Sequence, residues 1–260
     1  MSLVYDLHVK SQAIDISGHQ SPSSIDWKRV LAEGVSMAWL KVLEGQTSED
    51  KSWREHLQRA TDAGVPCGGY LYLHPSGNVV DSANRFCDLA QSAGFRLPPM
   101  LDLETRCGQP AKGADAGCKA HEKASPARVV GATVLWNETV RSRWRKPILY
   151  WGRGLAEELR RDGADLSPLA DWDQWLASYN PTLMLIDGQP EPLLWQYTDG
   201  GATGPLLLTA GLQLDRNRCR LTAAEMEVYG VTVESAPSID PGLLRAVQFA
   251  SLQDATTRTA

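Results

Sequence analysis

Five strand-like segments, each followed by a helix-like one, and then three strands without helices constrain this chain more than any other feature. The first five strands read as "QAIDIS" (12–17), "VSMAWLKV" (35–42), "CGGYLYLH" (67–74), "PPMLDLE" (98–104) and "PILYWG" (147–152). Ser24 is the expected cap of the first helix, which carries Ile25, Trp27, Val30 and Leu31 and closes at Gly34. The second helix carries Trp53, Leu57, Ala60 and Ala63 and stops at Gly64 and Pro66; the third covers 79–93. Ser125 and Pro126 open a fourth in the N-cap and N1 manner, with Val129, Thr133, Trp136, Val140 and Trp144 at helical spacing. A fifth covers 153–161. After it come "WDQWLASY" (172–179), "PLLWQYT" (192–198) and "LQLDRN" (212–217). Repeated strand–helix units argue for a parallel sheet with right-handed crossovers. Eight strands can close on themselves. The expected fold class is α/β, an irregular TIM-like barrel of five βα units followed by three strands.

The rest of the composition bounds what such a barrel can do. A formal net charge of −5 gives no broad attraction to nucleic acid. The longest apolar runs fall short of the ~20 residues of a membrane span, so no membrane insertion is expected. Asp6, His8 and Lys10 interrupt the apolar core a Sec signal would need, so the chain reads as made in the cytoplasm without one. Five cysteines, an odd number, argue against a disulfide framework. Cys67, Cys87 and Cys219 read as core fillers; Cys107 and Cys118 are two free thiols or one local bridge. Cys118 and His121 lack the second close pair that a zinc site requires.

Chemistry concentrates in "MLDLET" (100–105). Residues two apart on a strand share a face, so Asp102 and Glu104 stand side by side. Two like charges so placed raise at least one pKa, which a structure tolerates where it has a use for it. Asp15 on the first strand and Asp215 on the last can face one another in a closed barrel, whose functional residues gather at the C-terminal strand ends. Tyr70, Tyr72, Trp151, Trp175, Tyr179, Trp195 and Tyr197 lie at similar heights. Acids ringed by aromatics suit a sugar. Lys41 and Glu44 are spaced for a structural ion pair, and His74 reads as structural or at the rim.

"AIDISGHQ", "GVSMAWLKVLEG", "AGVPCGGYLYLHP", "LPPMLDLET", "QWLASY", "LLWQYTDGGATGP" and "LQLDRN" occur in the order seen in family 25 glycoside hydrolases, which the chain resembles from about 12 to 217. That resemblance implies a lysozyme-like barrel cleaving the β-1,4 bond between N-acetylmuramic acid and N-acetylglucosamine in peptidoglycan. Glu104 matches the family's general acid and Asp102 its partner carboxylate, either a nucleophile or the group that orients the substrate's 2-acetamido arm. Their Cα atoms should lie only ~6–7 Å apart, close quarters for acting on opposite sides of one bond, which favours the acetamido route with retention. Asp15 and Asp215 match the remaining acids, and Tyr70, Trp195 and Gln196 match groove positions. No metal or cofactor is implied.

The resulting division is a leader (1–11), a catalytic barrel (12–217) and a partly helical extension with a frayed end (218–260). Residues 105–124 read as an insertion beside the groove. The expected partner is the peptidoglycan glycan strand, met by a monomer in the periplasm or cell wall. Holin-type release of a phage endolysin would bring it there, or specialised secretion of an effector with a cognate immunity protein. The competing readings are a barrel that binds wall sugars without cutting them, a structural phage or secretion component, and a glycosidase for another N-acetylglucosamine polymer.

Overall fold

The computed structural model describes residues 7–107, 123–200 and 214–230. Its strands are β1 (Ser11–Ile16), β2 (Val35–Glu44), β3 (Ser48–Glu49), β4 (Cys67–Tyr72), β5 (Met100–Leu103), β6 (Ile148–Gly152), β7 (Asp173–Ala177), β8 (Leu194–Thr198) and β9 (Asp215–Cys219). β3 pairs only with β2, as a short return. The other eight close a barrel, because β1 pairs with both β2 and β9. Neighbours from β1 through β2 and β4 to β8 run parallel; β9 is antiparallel to both β8 and β1. The eight expected strands all form, their ends shifted by up to three residues.

Helices α1 (Trp27–Ala32), α2 (Trp53–Asp62), α3 (Val79–Ala90), α4 (Pro126–Arg143) and α5 (Arg153–Arg161) separate successive barrel strands up to β7, and α6 (Ala223–Val228) follows β9. The start of α1 differs from expectation. Pro22–Ser24 forms a 3-10 turn in which Ser24 Oγ donates back to Ser21 O, and Asp26 caps α1 by accepting from Arg29 N at 3.2 Å. Ser125 caps α4 as expected, accepting from Arg128 N with Pro126 at the first turn. None of the described helices is long and apolar enough to cross a membrane.

Strand alternation sorts side chains into two layers. Outward residues, among them Ile14, Leu40, Leu71, Leu101, Leu103, Leu149 and Leu176, are buried against the helices. Each such Leu contributes about 1.5–3 kcal/mol. Inward residues fill the lower barrel: Met37, Trp39, Met100, Ile148, Trp175, Leu194 and Cys219, with Met226 of α6 fully buried among them. Trp39 meets Trp175 edge-on at 4.9 Å. Gly68 permits this packing, since a Cβ there would stand 2.4 Å from Trp39 Nε1 and 2.8 Å from Pro98 O. Polar chemistry is thereby confined to the upper end, above an apolar plug.

Candidate active site

Asp15, Asp102, Glu104 and Asp215 converge at the upper, C-terminal end of the parallel strands. Asp15 and Asp215 are direct partners across the β1–β9 ladder, and their carboxyls hydrogen-bond one another. Asp102 projects inward from β5 and is 6% exposed, with Oδ1 lacking a hydrogen-bond partner among the described residues. Glu104, just past β5, is the most open of the four yet crowded within the mouth. It touches Asp102, carboxyl to carboxyl.

Burial, which disfavours the charged form, is the largest influence on all four. It raises Asp102 well above the usual carboxylate range, with the Glu104 charge adding to it. Glu104 is raised by its crowding and then by the Asp15 charge. Asp215 is pushed up to about 8 by burial, then by Asp15. The Asp102–Glu104 pair therefore titrates as a unit whose carboxyls hold protons more tightly than free ones.

A hydrogen-bonded chain fixes Asp15. Trp175 Nε1 donates to Asn217 Oδ1 at 2.8 Å, and Asn217 Nδ2 donates to Asp15 Oδ1 at 2.7 Å. Gln196 Nε2 donates to both Asp15 oxygens at 3.2 Å, while its Oε1 accepts from Tyr150 at 2.7 Å and Tyr179 at 2.6 Å. Burial keeps the Tyr150 hydroxyl protonated, a donor throughout. On the other side, Lys41 Nζ sits 2.5 Å from Glu44 and 5.0 Å from the Tyr72 ring centre, and its charge lowers the pKa of both Asp102 and Glu104. His74 is buried between Glu44, 3.1 Å from its Nε2, and Cys107 O, as its structural reading required.

Two clefts flank the acids. One of about 410 Å3 runs from Glu104 past Tyr150 and Arg153 to Ser178, Tyr179 and Asn180. The other, about 270 Å3, lies between Ser17, Lys41, Glu44 and Asp50. Among the described residues, no group of three His, Cys, Asp or Glu side chains is arranged to hold a metal ion. A cleft that reaches Glu104, beside a carboxyl pair whose pKa values are raised, is equipped for acid catalysis. Residues 14–205 match the profile of Glycosyl hydrolases family 25.

The chain belongs to that family.

Lysozyme M1 of Streptomyces globisporus is 26% identical over 234 residues, 83% of this chain and 69% of its own length. Crystalline bacterial lysozyme from Streptomyces coelicolor shares the fold with a TM-score of 0.68 at 21% identity, covering 85% of this chain and 96% of that one. The autolysin LytC from Streptococcus pneumoniae, solved with a synthetic peptidoglycan ligand, superposes with a TM-score of 0.63 at 17% identity, over 80% of this chain and 46% of its own.

This family 25 barrel divides the aromatics expected in its groove. Tyr70 and Tyr72 face inward near the acids, and Tyr179, 50% exposed, stands in the larger cleft. Gln196 also faces inward. Trp151, Trp195 and Tyr197 face the other way, a correction to the sequence reading. Trp151 and Trp195 are buried in the layer under the helices; Trp151 Nε1 bonds Gln174, and Trp195 Nε1 donates to Ser178 O at 2.7 Å. Each Trp sits beside an inward residue, Tyr150 or Gln196, and neighbours on a strand point to opposite faces. Trp175 does face inward, but with no exposed surface it supports Asn217 from below rather than offering a stacking face.

The sequence reading singles out neither Tyr150 nor Asn217, which hold Gln196 and Asp15 in place. The "RN" of "LQLDRN" offers a polar inward position that register with Asp215 exposes: Asn217 is two residues on. Lys41 was assigned only to its ion pair, which does form. Cys67, Cys87 and Cys219 are buried free thiols, whereas Cys107 is disulfide-bonded. Cys118 and His121, most of the 105–124 insertion, positions 1–6 of the leader and 231–260 of the extension lie outside the described residues.

Proposed function

We propose that this family 25 glycoside hydrolase is a muramidase that cuts the β-1,4 bond following N-acetylmuramic acid in peptidoglycan, with retention and with help from the sugar's own acetamido group. The observation that carries this reading is the direct contact between the Asp102 and Glu104 carboxyls. A nucleophile and an acid working across one sugar are separated by ~5–5.5 Å. Two carboxyls in hydrogen-bond contact are too close for that division of labour. Their closeness suits a single shared proton and one-sided action.

In this scheme Glu104 delivers the proton to the glycosidic oxygen as that bond breaks. The acetamido carbonyl oxygen closes on the anomeric carbon, and Asp102 accepts a hydrogen bond from the acetamido N–H, stabilising the positive charge that develops. Glu104, now a carboxylate, takes a proton from the water that opens the cyclic intermediate, regenerating the acid. Asp15, held by Asn217 and Gln196, keeps negative charge beside the pair and so holds its proton until it is needed. Tyr179 and Tyr72 offer ring faces to the sugars. The relatives named as lysozymes, and the LytC complex with a peptidoglycan ligand, support the choice of polymer. That polymer places the enzyme's work in the periplasm or wall.

The test is digestion of peptidoglycan by wild type and Glu104→Gln, with borohydride reduction and mass spectrometry. The expected products of wild type end in reduced muramic acid, and Glu104→Gln, which keeps the shape but not the acid, loses on the order of 10²–10⁴-fold in rate. Reduced N-acetylglucosamine ends would move the cleavage to the other bond. A folded wild type that released nothing would overturn the hydrolase reading.

A further inference from the structure

The two clefts differ in charge. The smaller is lined by Glu44, Glu49 and Asp50, and its Lys41 is committed to Glu44. Arg54 and Arg85 sit on Glu49, leaving the Asp50 carboxylate to cap backbone N–H groups of Gly18 and Ser52. Among the described residues the larger has Arg153 as its one cationic lining residue, in a wall that also holds Ser178, Tyr179 and Asn180.

Arg153 is under-used where it stands. Of its five N–H donors, Nε serves Glu157 at 2.6 Å and Nη1 rests 3.3 Å from Met184 Sδ, a weak acceptor. Nη2 has no hydrogen bond among the described residues. The Glu157 pair is one helical turn long with both partners well exposed, the kind of ion pair that water and salt readily loosen. A guanidinium presents two parallel N–H groups to a carboxylate. The acids at the centre of the mouth offer an anionic substituent no partner, so it settles best where a cation waits at the edge.

Peptidoglycan differs from a plain N-acetylglucosamine polymer in this respect, since its muramic acid residues carry peptides with free carboxylates. We propose that Arg153 captures a free stem-peptide carboxylate, making the β6–α5 edge of the groove the end that reads peptide-bearing sugars. This rests on the muramidase reading and goes beyond it, because it predicts discrimination between uncharged and peptide-substituted glycan. Asn180 lines the same cleft, its Nδ2 donating to Ser178 Oγ at 3.2 Å.

The experiment uses uncrosslinked glycan chains with stem carboxylates free, and the same chains with those carboxylates converted to carboxamides. Wild type should show a KM about tenfold lower for the acid form. Arg153→Ala and Arg153→Gln should lose most of that preference, and Arg153→Lys should keep part of it, having the charge without the planar fork. Binding of both glycans to Glu104→Gln, with and without Arg153→Gln, gives the same comparison free of turnover. Cleavage of both substrates with no acid preference, or a preference that survives Arg153→Gln, would overturn the stem-carboxylate site alone. Failure of wild type to cut either would overturn the muramidase reading beneath it.

Discussion

Replacing Asp215 with Asn should make the folded protein more stable at alkaline pH and leave it nearly unchanged at acid pH. Asp215 is driven from 3.8 to about 8, first by burial and then by Asp15. A carboxyl with a raised folded pKa binds its proton more tightly folded than unfolded. Its contribution is therefore present at low pH and is lost as pH rises from about 4 to about 8. Four pH units at about 1.4 kcal/mol each set a ceiling of roughly 6 kcal/mol. Two things lower it. Part of the effect is repulsion shared with Asp15, and Asp215 keeps some contact with solvent. A gain of about 1–3 kcal/mol is the working expectation, reached by pH 8 and small at pH 4.5. Asn presents no charge at either pH and can still bond Asp15. Urea titrations of both proteins at the two pH values, compared at equal slope, measure the difference. A stability gap of the same size at pH 4.5 and pH 8 would refute the account, because only an ionisation makes it grow. The same substitution should lower activity, the usual relation between a strained site and its function.

Lys41→Met removes a positive charge that holds down the pKa of Asp102 and Glu104, so both limbs of the pH–rate profile should move upward by about 0.5–1 unit. The facing groups Asp15, Asp215, Glu44, His74, Tyr70 and Tyr72 stay in place; a profile that keeps its midpoints would confine Lys41 to holding Glu44. Trp195→Phe should lower stability by about 1–3 kcal/mol in chemical denaturation with KM little changed, since the ring lies under the barrel's outer layer; a large KM rise would put it back in the groove. Gly68→Ala should cost about 1–3 kcal/mol or more, because its Cβ would press on the Trp39 ring and the Pro98 carbonyl; wild-type thermal stability would show that the lower barrel is loosely packed.

Order and periodicity along the chain were enough for the barrel. Each strand–helix unit is a local pattern closed by local signals such as the Ser125 cap and the Gly64 stop, and a sheet of eight strands has few ways to bury both faces. The acids were legible for a related reason. A charge on an otherwise apolar strand is conspicuous, and the period of two puts Asp102 and Glu104 on one side whatever else happens. The α1 start is ambiguous in the sequence because Ser21, Ser23, Ser24 and Asp26 can all cap a helix, and only the 3-10 turn selects Asp26.

Which side of each strand faces the mouth was settled by the tertiary structure. In most half-buried sheets the apolar side turns inward and the polar side to water. Here the outer face is sealed by helices and the inner face ends in a polar site, so "YWG" and "LWQYT" read backwards: Tyr150 and Gln196 face in, Trp151 and Trp195 out. The meeting of Asp15 with Asp215, 200 positions along the chain, likewise depends on β9 returning antiparallel beside β1. Sequence by itself determined the elements, their order and the presence of paired acids, because those follow from interactions within a few residues. The inward set, the raised pKa values of the four acids, and the charge difference between the two clefts arise only on closure, when side chains distant in sequence exclude water from one another.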